Sequence, residues 1–252
     1  MIYGLYLSAS GVLTNSYRQD VIANNIANSE TVGFKKDLTI FQQRSTAAQE
    51  LHHGDETDPL LEPIGGGLLV ARSVVDARPG DYQPTGNNMD VALDGSGFLA
   101  VSDGSTTRLT RNGELMLNRD GTLALSTNPN QAVLDDKQSP IVLDGTQPIT
   151  IAADGTIAQN GKIKARLGLF SAGDPSQLHK VGGTLWAIPD GATLATATPV
   201  VRTGFIERSN VDPALELTDL MDTQRQLEAN ANMMHIQDET LDKLVNDVGR
   251  IS

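Results

Sequence analysis

Residues 212–252 read DPALELTDLMDTQRQLEANANMMHIQDETLDKLVNDVGRIS, and their start and period decide how the chain is organised. Asp212 offers a side-chain acceptor to the first free amides of a helix, and Pro213 suits the first helical position, where no amide is needed. Glu216 and Asp219 fall where the helix dipole favours negative charge. Leu220, Leu227, Met234, Leu241 and Val248 then recur every seven residues, with Leu217, Ala231, Leu244, Val245 and Ile251 widening parts of the stripe. Such a period predicts a helix whose seam needs a helical partner. Gln224 and Asp238 interrupt the seam, so it is not an optimised zipper. Nine acidic and three basic residues between Val211 and Ser252 give a net charge of -6, which favours a partner of different sequence over an identical helix.

Burying the five heptad side chains contributes about 1.5–3 kcal/mol each. Ordering a long helix costs roughly 1–2 kcal/mol of backbone entropy per residue, only partly offset by its own hydrogen bonds. Alone the segment is marginal, and covering its seam couples folding to association. A candidate cover lies at the other end of the chain, where residues 4–27 carry a narrow stripe of Leu5, Ala9, Val12, Ser16, Ala23 and Ile26 at helical steps. Asn28, followed by Ser29, Thr31 and Gly33, supplies the stop, since Asn and Gly accept the left-handed conformation that ends helices. Amphipathic terminal helices are also the pattern of core helices within one molecule, and periodicity does not separate the two readings.

Between the helices the texture changes twice. From Lys35 to Gly67 the chain is polar, with His52, His53, Gly54, Asp55, Glu56, Pro63 and a run of glycines, and is expected to be an extended connection. From Leu68 to Arg208 short apolar runs are separated by Asp94-Gly95, Asp103-Gly104, Asn112-Gly113, Asp120-Gly121, Asp144-Gly145, Asp154-Gly155, Asn160-Gly161 and Asp190-Gly191. Such dipeptides match the twist of hairpins and predict an antiparallel β domain.

Composition narrows the chemistry. With 252 residues and 39% hydrophobic content a core is feasible, but only 4% of residues are aromatic, which disfavours ring-lined ligand pockets. A net charge of -12 disfavours nucleic acid and anionic lipid. The absence of cysteine removes disulfides, thiolate catalysis and Cys-based zinc sites. No cleaved signal peptide and no membrane-spanning stretch are read, so direct membrane insertion is not expected. His52, His53, His179 and His235 lack metal-ligand spacing, no nucleophile elbow occurs, and Gly95-Ser96-Gly97-Phe98 opens no helix and reads as a strand connection. The spacing of Asp-Gly pairs invites comparison with calcium-binding repeats, but the doubled glycines of those repeats are missing. Trp186 reads as an anchor of the β domain. No catalytic residue, cofactor or metal is expected.

Asp20-Val21-Ile22-Ala23-Asn24-Asn25-Ile26-Ala27-Asn28, with Thr31-Val32-Gly33-Phe34-Lys35, resembles the N-terminal signature of the flagellar rod and hook protein family. Asp90-Val91-Ala92-Leu93, Gly95-Ser96-Gly97-Phe98 and Thr110-Arg111-Asn112-Gly113 look like the opening of its β domain. Glu207, Ser209-Asn210-Val211, Glu216, Met221, Gln224-Arg225, Glu228 and Asn230 resemble its closing helix. The chain departs from the pattern at Leu227, where an aromatic residue is usual, and at Leu109, where Tyr is frequent. The resemblance implies terminal helices paired into a coiled-coil-like inner tube, a β domain outside, and export of the unfolded chain through the flagellar type III apparatus. Length within the family favours a proximal or distal rod subunit over a hook subunit.

The resulting expectation is an α+β fold: discontinuous N- and C-terminal helices forming a coiled-coil-like domain, with a central antiparallel all-β domain. Residues 1–34 are expected to form an assembly helix and turn, 35–67 a linker, 68–208 the β domain and 209–252 the second assembly helix. The expected assembly residues are Leu5, Val12, Asn24, Asn25, Ile26, Asn28, Leu217, Leu220, Leu227, Met234, Leu241, Leu244 and Val248, with the asparagines fixing register between subunits or, for Asn28, capping a helix. Phe34 and Leu38 fit the family's short export element, or else Phe34 staples the first helix. The implied partners are copies of the chain, other rod and hook subunits and the export apparatus, in a periplasm-spanning rod. The competing class is a secreted β-rich binding protein or hydrolase whose terminal helices close its own fold.

Overall fold

The computed structural model describes residues 2–43, 67–70, 73–171, 178–188 and 194–248. The chain divides into two compact units, each drawn from separated segments: residues 1–26, 37–74 and 212–252 in one, and 27–36 and 75–211 in the other. With terminal helices around a central antiparallel β region, the architecture is α+β.

The helical unit is built on α1 (Ile2–Ala27) and α2 (Pro213–Val248). α2 starts as its sequence requires: Asp212 Oδ1 accepts the amides of Ala214 at 2.9 Å and Leu215 at 3.3 Å. α1 stops at Ala27, and the turn that follows is closed by the Thr31 amide and hydroxyl, which donate to the Asn28 carbonyl and side-chain oxygen at 3.1 and 3.2 Å. Strands β1 (Asp37–Leu38), β2 (Phe41–Gln43) and β3 (Leu68–Val70) belong to this unit, and β2 and β3 pair antiparallel with Phe41 opposite Val70. The Ser10 hydroxyl on α1 joins that ribbon by donating to the Leu68 carbonyl at 2.9 Å and accepting its amide at 3.1 Å. The rest of the expected connection, including His52, His53, Gly54, Asp55, Glu56 and Pro63, lies outside the described residues.

The main sheet of the β unit runs, in spatial order, through 179–180, 185–187, 107–110, 98–102, 128–133, 123–125 and 115–117, with 169–171 and 195–196 attached beside 98–102. A three-stranded sheet of 149–151, 156–159 and 162–166 accompanies it, together with the pairs 91–94 with 200–203 and 82–84 with 205–207. Neighbouring strands alternate in direction, as short apolar runs punctuated by tight turns allow. Fifteen buried aliphatic side chains, among them Leu99, Val133 and Ile157, make one core, and Phe98, Leu109, Phe170 and Trp186 anchor a second. Trp186 is buried and stands 5.7 Å from the Phe98 ring, the anchor role expected of it.

The Asp-Gly and Asn-Gly dipeptides do two different jobs. Asp103-Gly104, Asp120-Gly121, Asp154-Gly155 and Asn160-Gly161 join paired strands as hairpins, and in the last both residues have positive φ, 51° and 73°. Asp94-Gly95, Asn112-Gly113 and Asp144-Gly145 connect strands that do not pair with each other. At Gly113 the reason for glycine is space, since a Cβ there would lie 1.7 Å from the Val91 carbonyl oxygen. Asp190-Gly191 lies outside the described residues.

Candidate functional site

Within the helical unit three close approaches fix how α1 meets α2. A Cβ on Gly4 would lie 2.8 Å from Gln237 Nε2, and one on Gly11 would lie 2.7 Å from Asn230 Nδ2. Asn25 Nδ2 lies 3.3 Å from Glu216 Oε2. Residues 4, 11 and 25 climb as 237, 230 and 216 descend, so the helices are antiparallel, and the polar layers repeat at heptad spacing. The same register sets Arg18 level with Thr223, which is fully buried.

Leu220, Leu227, Met234 and Leu241 are each half-buried on the face that carries Thr223, Asn230 and Gln237. The seam read from the sequence is therefore one edge of a stripe whose other edge is polar. Gln224 and Asp238, read as its interruptions, are exposed instead. Glycine accounts for the pattern: without a side chain at 4 and 11, room remains opposite for an amide.

Asn25 is the fixed point of this pair. It is buried, its Oδ1 accepts the Asp37 amide at 2.9 Å, and its Nδ2 donates to the Asp37 carbonyl at 2.9 Å. An asparagine amide matched to a backbone amide and carbonyl in this way is satisfied at both ends. These bonds lie inside the chain. Leu5, Val12 and Ile26 are half-buried, Asn24 is exposed, and Asn28 is half-buried in the turn after α1. Leu217 and Leu244 are exposed, and the side chain of Val248 lies outside the described residues.

In the β unit the three sequence motifs converge on a buried ion cluster that sequence reading missed. Glu207, fully buried, receives the Lys35 ammonium on Oε1 and Arg111 Nη1 on Oε2, the latter at 3.2 Å. Its Oε1 also accepts the Gly80 amide at 3.1 Å, and its carbonyl accepts the Gly33 amide at 2.8 Å. Lys35 donates further to the Arg78 carbonyl at 2.8 Å, and Arg111 to the carbonyls of Leu93 at 3.1 Å and Gly95 at 2.7 Å. Burial pushes the Lys35 ammonium below the ordinary lysine value, while the Glu207 carboxylate pulls it part of the way back. Gly33, with φ of 70°, packs so tightly that a Cβ would lie 2.4 Å from the Arg111 carbonyl carbon. Asn210 completes the cluster, accepting the Lys36 amide at 2.8 Å and donating to the carbonyls of Asp76 and Arg78. No motif period links positions 35, 111 and 207; only the quoted family motifs contain all three.

Phe34 is buried in the β unit with the Lys180 ammonium 3.8 Å above its ring, and Leu38 is 40% exposed on β1. Among the described residues no group of three His, Asp or Glu side chains is placed to hold a metal ion.

Comparison with known proteins agrees with this motif geometry. Residues 5–35 match the family described as flagella basal body rod protein, and residues 202–247 match the C-terminal family of flagellar basal body rod FlgEFG proteins. The chain is similar over 251 residues, at 32% identity, to the basal-body rod protein FlgF of Caulobacter vibrioides, covering 98% of each chain. The chain belongs to the flagellar basal-body rod protein family. The rod protein FlgG of Bacillus subtilis is 30% identical over 267 residues, covering 98% of this chain and 99% of the relative. The hook-basal body complex protein FlhP of the same organism is 29% identical over 266 residues. The rod-family signature thus has two physical duties here. Asn25 ties α1 to β1 and α2 in the helical unit, and Gly33 and Lys35 close the β unit on Glu207.

Proposed function

We propose that the chain is a structural subunit of the bacterial flagellar basal-body rod, polymerising through its helical unit with copies of itself and with other axial subunits. The carrying observation is the apolar surface that the helix pair leaves in water. Leu215, Leu217, Met221, Met233, Ile236 and Val245 on α2 are 49–70% exposed, and Leu13 on α1 is 70% exposed. A soluble monomer rarely displays such a surface along one pair of helices, and assembly removes it from water. The polar interior of the pair fits the same reading. Glycine and amide layers give specific register but little hydrophobic gain, so much of the stabilisation is left to coiled-coil-like packing against neighbouring subunits.

Phe34 and Leu38 fit an export element that is read only in the unfolded chain, since folding buries Phe34. That supports passage through the type III apparatus before folding. On this reading the β unit forms the outer layer and no catalytic step is involved.

Substituting Met233→Asp and Ile236→Asp together tests the proposal, because both side chains are exposed in the single chain. The variant is expected to melt as the parent does and to be absent from isolated basal bodies. Normal incorporation would refute assembly through this surface.

A further inference from the structure

The helix pair carries two unlike flanks, and their charge points to how one copy meets the next. Successive residues on a helix are rotated by about 100°. With Thr223 and Asn230 turned toward α1, Ala229, Met233 and Ile236 fall on one side of the seam, and Leu217, Met221 and Glu228 on the other. The first side opens into a groove of about 510 Å³ whose walls include Leu7, Thr14, Arg18, Gln226 and Ala229. Arg18 is half-buried there and, among the described residues, makes no hydrogen bond or ion pair. A guanidinium partly withdrawn from water without an anion is unfavourable, and a carboxylate brought into the groove would relieve it. The second side supplies such a group beside apolar side chains: Leu217 is 50% and Met221 59% exposed, and Glu228 is exposed one turn beyond Gln224.

We propose that the groove flank of one copy receives the Leu217–Met221–Glu228 ridge of a second copy of this chain, with Arg18 meeting Glu228. The ridge offers two apolar side chains and a carboxylate, and the groove offers Leu7, Leu68 and Ala229 together with the Arg18 guanidinium. Because the two surfaces differ and lie on opposite sides of one helix pair, the contact is heterologous and propagates instead of closing on itself. This inference rests on the rod-subunit reading and names the surfaces through which that assembly proceeds.

The test uses the full chain, expressed in cells lacking the parent copy, with Arg18→Glu, Glu228→Arg and the double reversal. Each single reversal is expected to lower incorporation into basal bodies about tenfold, and the double reversal to restore it to within about threefold of the parent. A photo-cross-linking residue at Ala229 should attach, in isolated basal bodies, to residues 217–228 of a second copy. Full incorporation of Arg18→Glu, or a double reversal no better than either single, would overturn the proposal. So would a cross-link to residues 44–66 of the same chain, to a different protein, or to nothing. The Met233→Asp and Ile236→Asp variant separates the two levels: if it is excluded while charge reversal has no effect, only the flank pairing fails. If it incorporates normally, assembly through this surface fails as well, whereas absence of the parent chain itself from isolated basal bodies is the result that would sink the rod-subunit reading.

Discussion

Replacing Glu207 by Ala removes one anion from beneath two buried cations, and the consequence follows from the geometry. The Lys35 and Arg111 side chains are 2% and 6% exposed and the Glu207 side chain 0%. Breaking a buried pair by deleting one partner costs about 3–5 kcal/mol, because the remaining charge is left desolvated. Here two cations lose the same partner, and the Gly80 amide loses its acceptor, so the upper end of that range applies. At roughly 2–4 °C per kcal/mol for a unit of this size, the β unit should melt about 10–15 °C lower. The assay is thermal and urea unfolding of the full chain, followed by far-UV circular dichroism and by Trp186 fluorescence, which reports on the β unit alone. A triple replacement of Lys35 and Arg111 by Met and Glu207 by Leu removes charge and anion together, and should recover most of the loss. A Glu207→Ala variant destabilised by less than about 1 kcal/mol would mean that the cluster is hydrated and inessential.

Asn25→Ala should destabilise the helical unit by about 1–3 kcal/mol, because the Asp37 amide and carbonyl lose their partner, and helical circular dichroism should be lost at lower urea than in the parent. Gly11→Leu should separate α1 from α2, since its side chain needs the space held by Asn230, and helical circular dichroism should be lost at lower urea than in the parent. Backbone amides hold the carboxyls of Asp103, Asp120, Asp144 and Asp154 below the usual aspartate range. A carboxyl depressed in the folded state contributes stability above its unfolded pKa and loses it as pH falls. The melting temperature of the β unit should therefore decline as pH drops through about 4 and keep declining below it, and Asp103→Asn should flatten that decline.

The start of α2 and the stop of α1 were legible because local chemistry sets them. Asp212 and Pro213 start α2, and Asn28 with Thr31 closes the turn after α1, whatever the rest of the chain does. Half of the seam on α2 was legible as well, since Leu220, Leu227, Met234 and Leu241 are apolar at a fixed period. Its other half was not. Asn230 and Gln237 are polar and look like surface until the glycines opposite them are known, and that pairing spans more than two hundred residues of sequence. On α1 the stripe of Leu5, Val12 and Ile26 lies beside the face turned to α2, because glycine and asparagine there carry no hydropathy signal. The turn dipeptides announced an antiparallel β region, but not which of them turn a hairpin: Gly113 serves a close backbone approach that only the partner strand reveals. The Lys35, Arg111 and Glu207 cluster was visible solely as separate motif fragments, since nothing local distinguishes a buried charge from a solvated one.

The central claim is that the helical unit, not the β unit, carries the contacts between subunits. Hydrogen exchange of the purified chain and of the same chain in isolated basal bodies tests it most directly. Amides of α1 and α2 are expected to gain about a hundredfold or more in protection on assembly, while core amides of the β unit change by less than about threefold. Protection gained mainly by the β unit, with α1 and α2 exchanging as they do in the free chain, would contradict it.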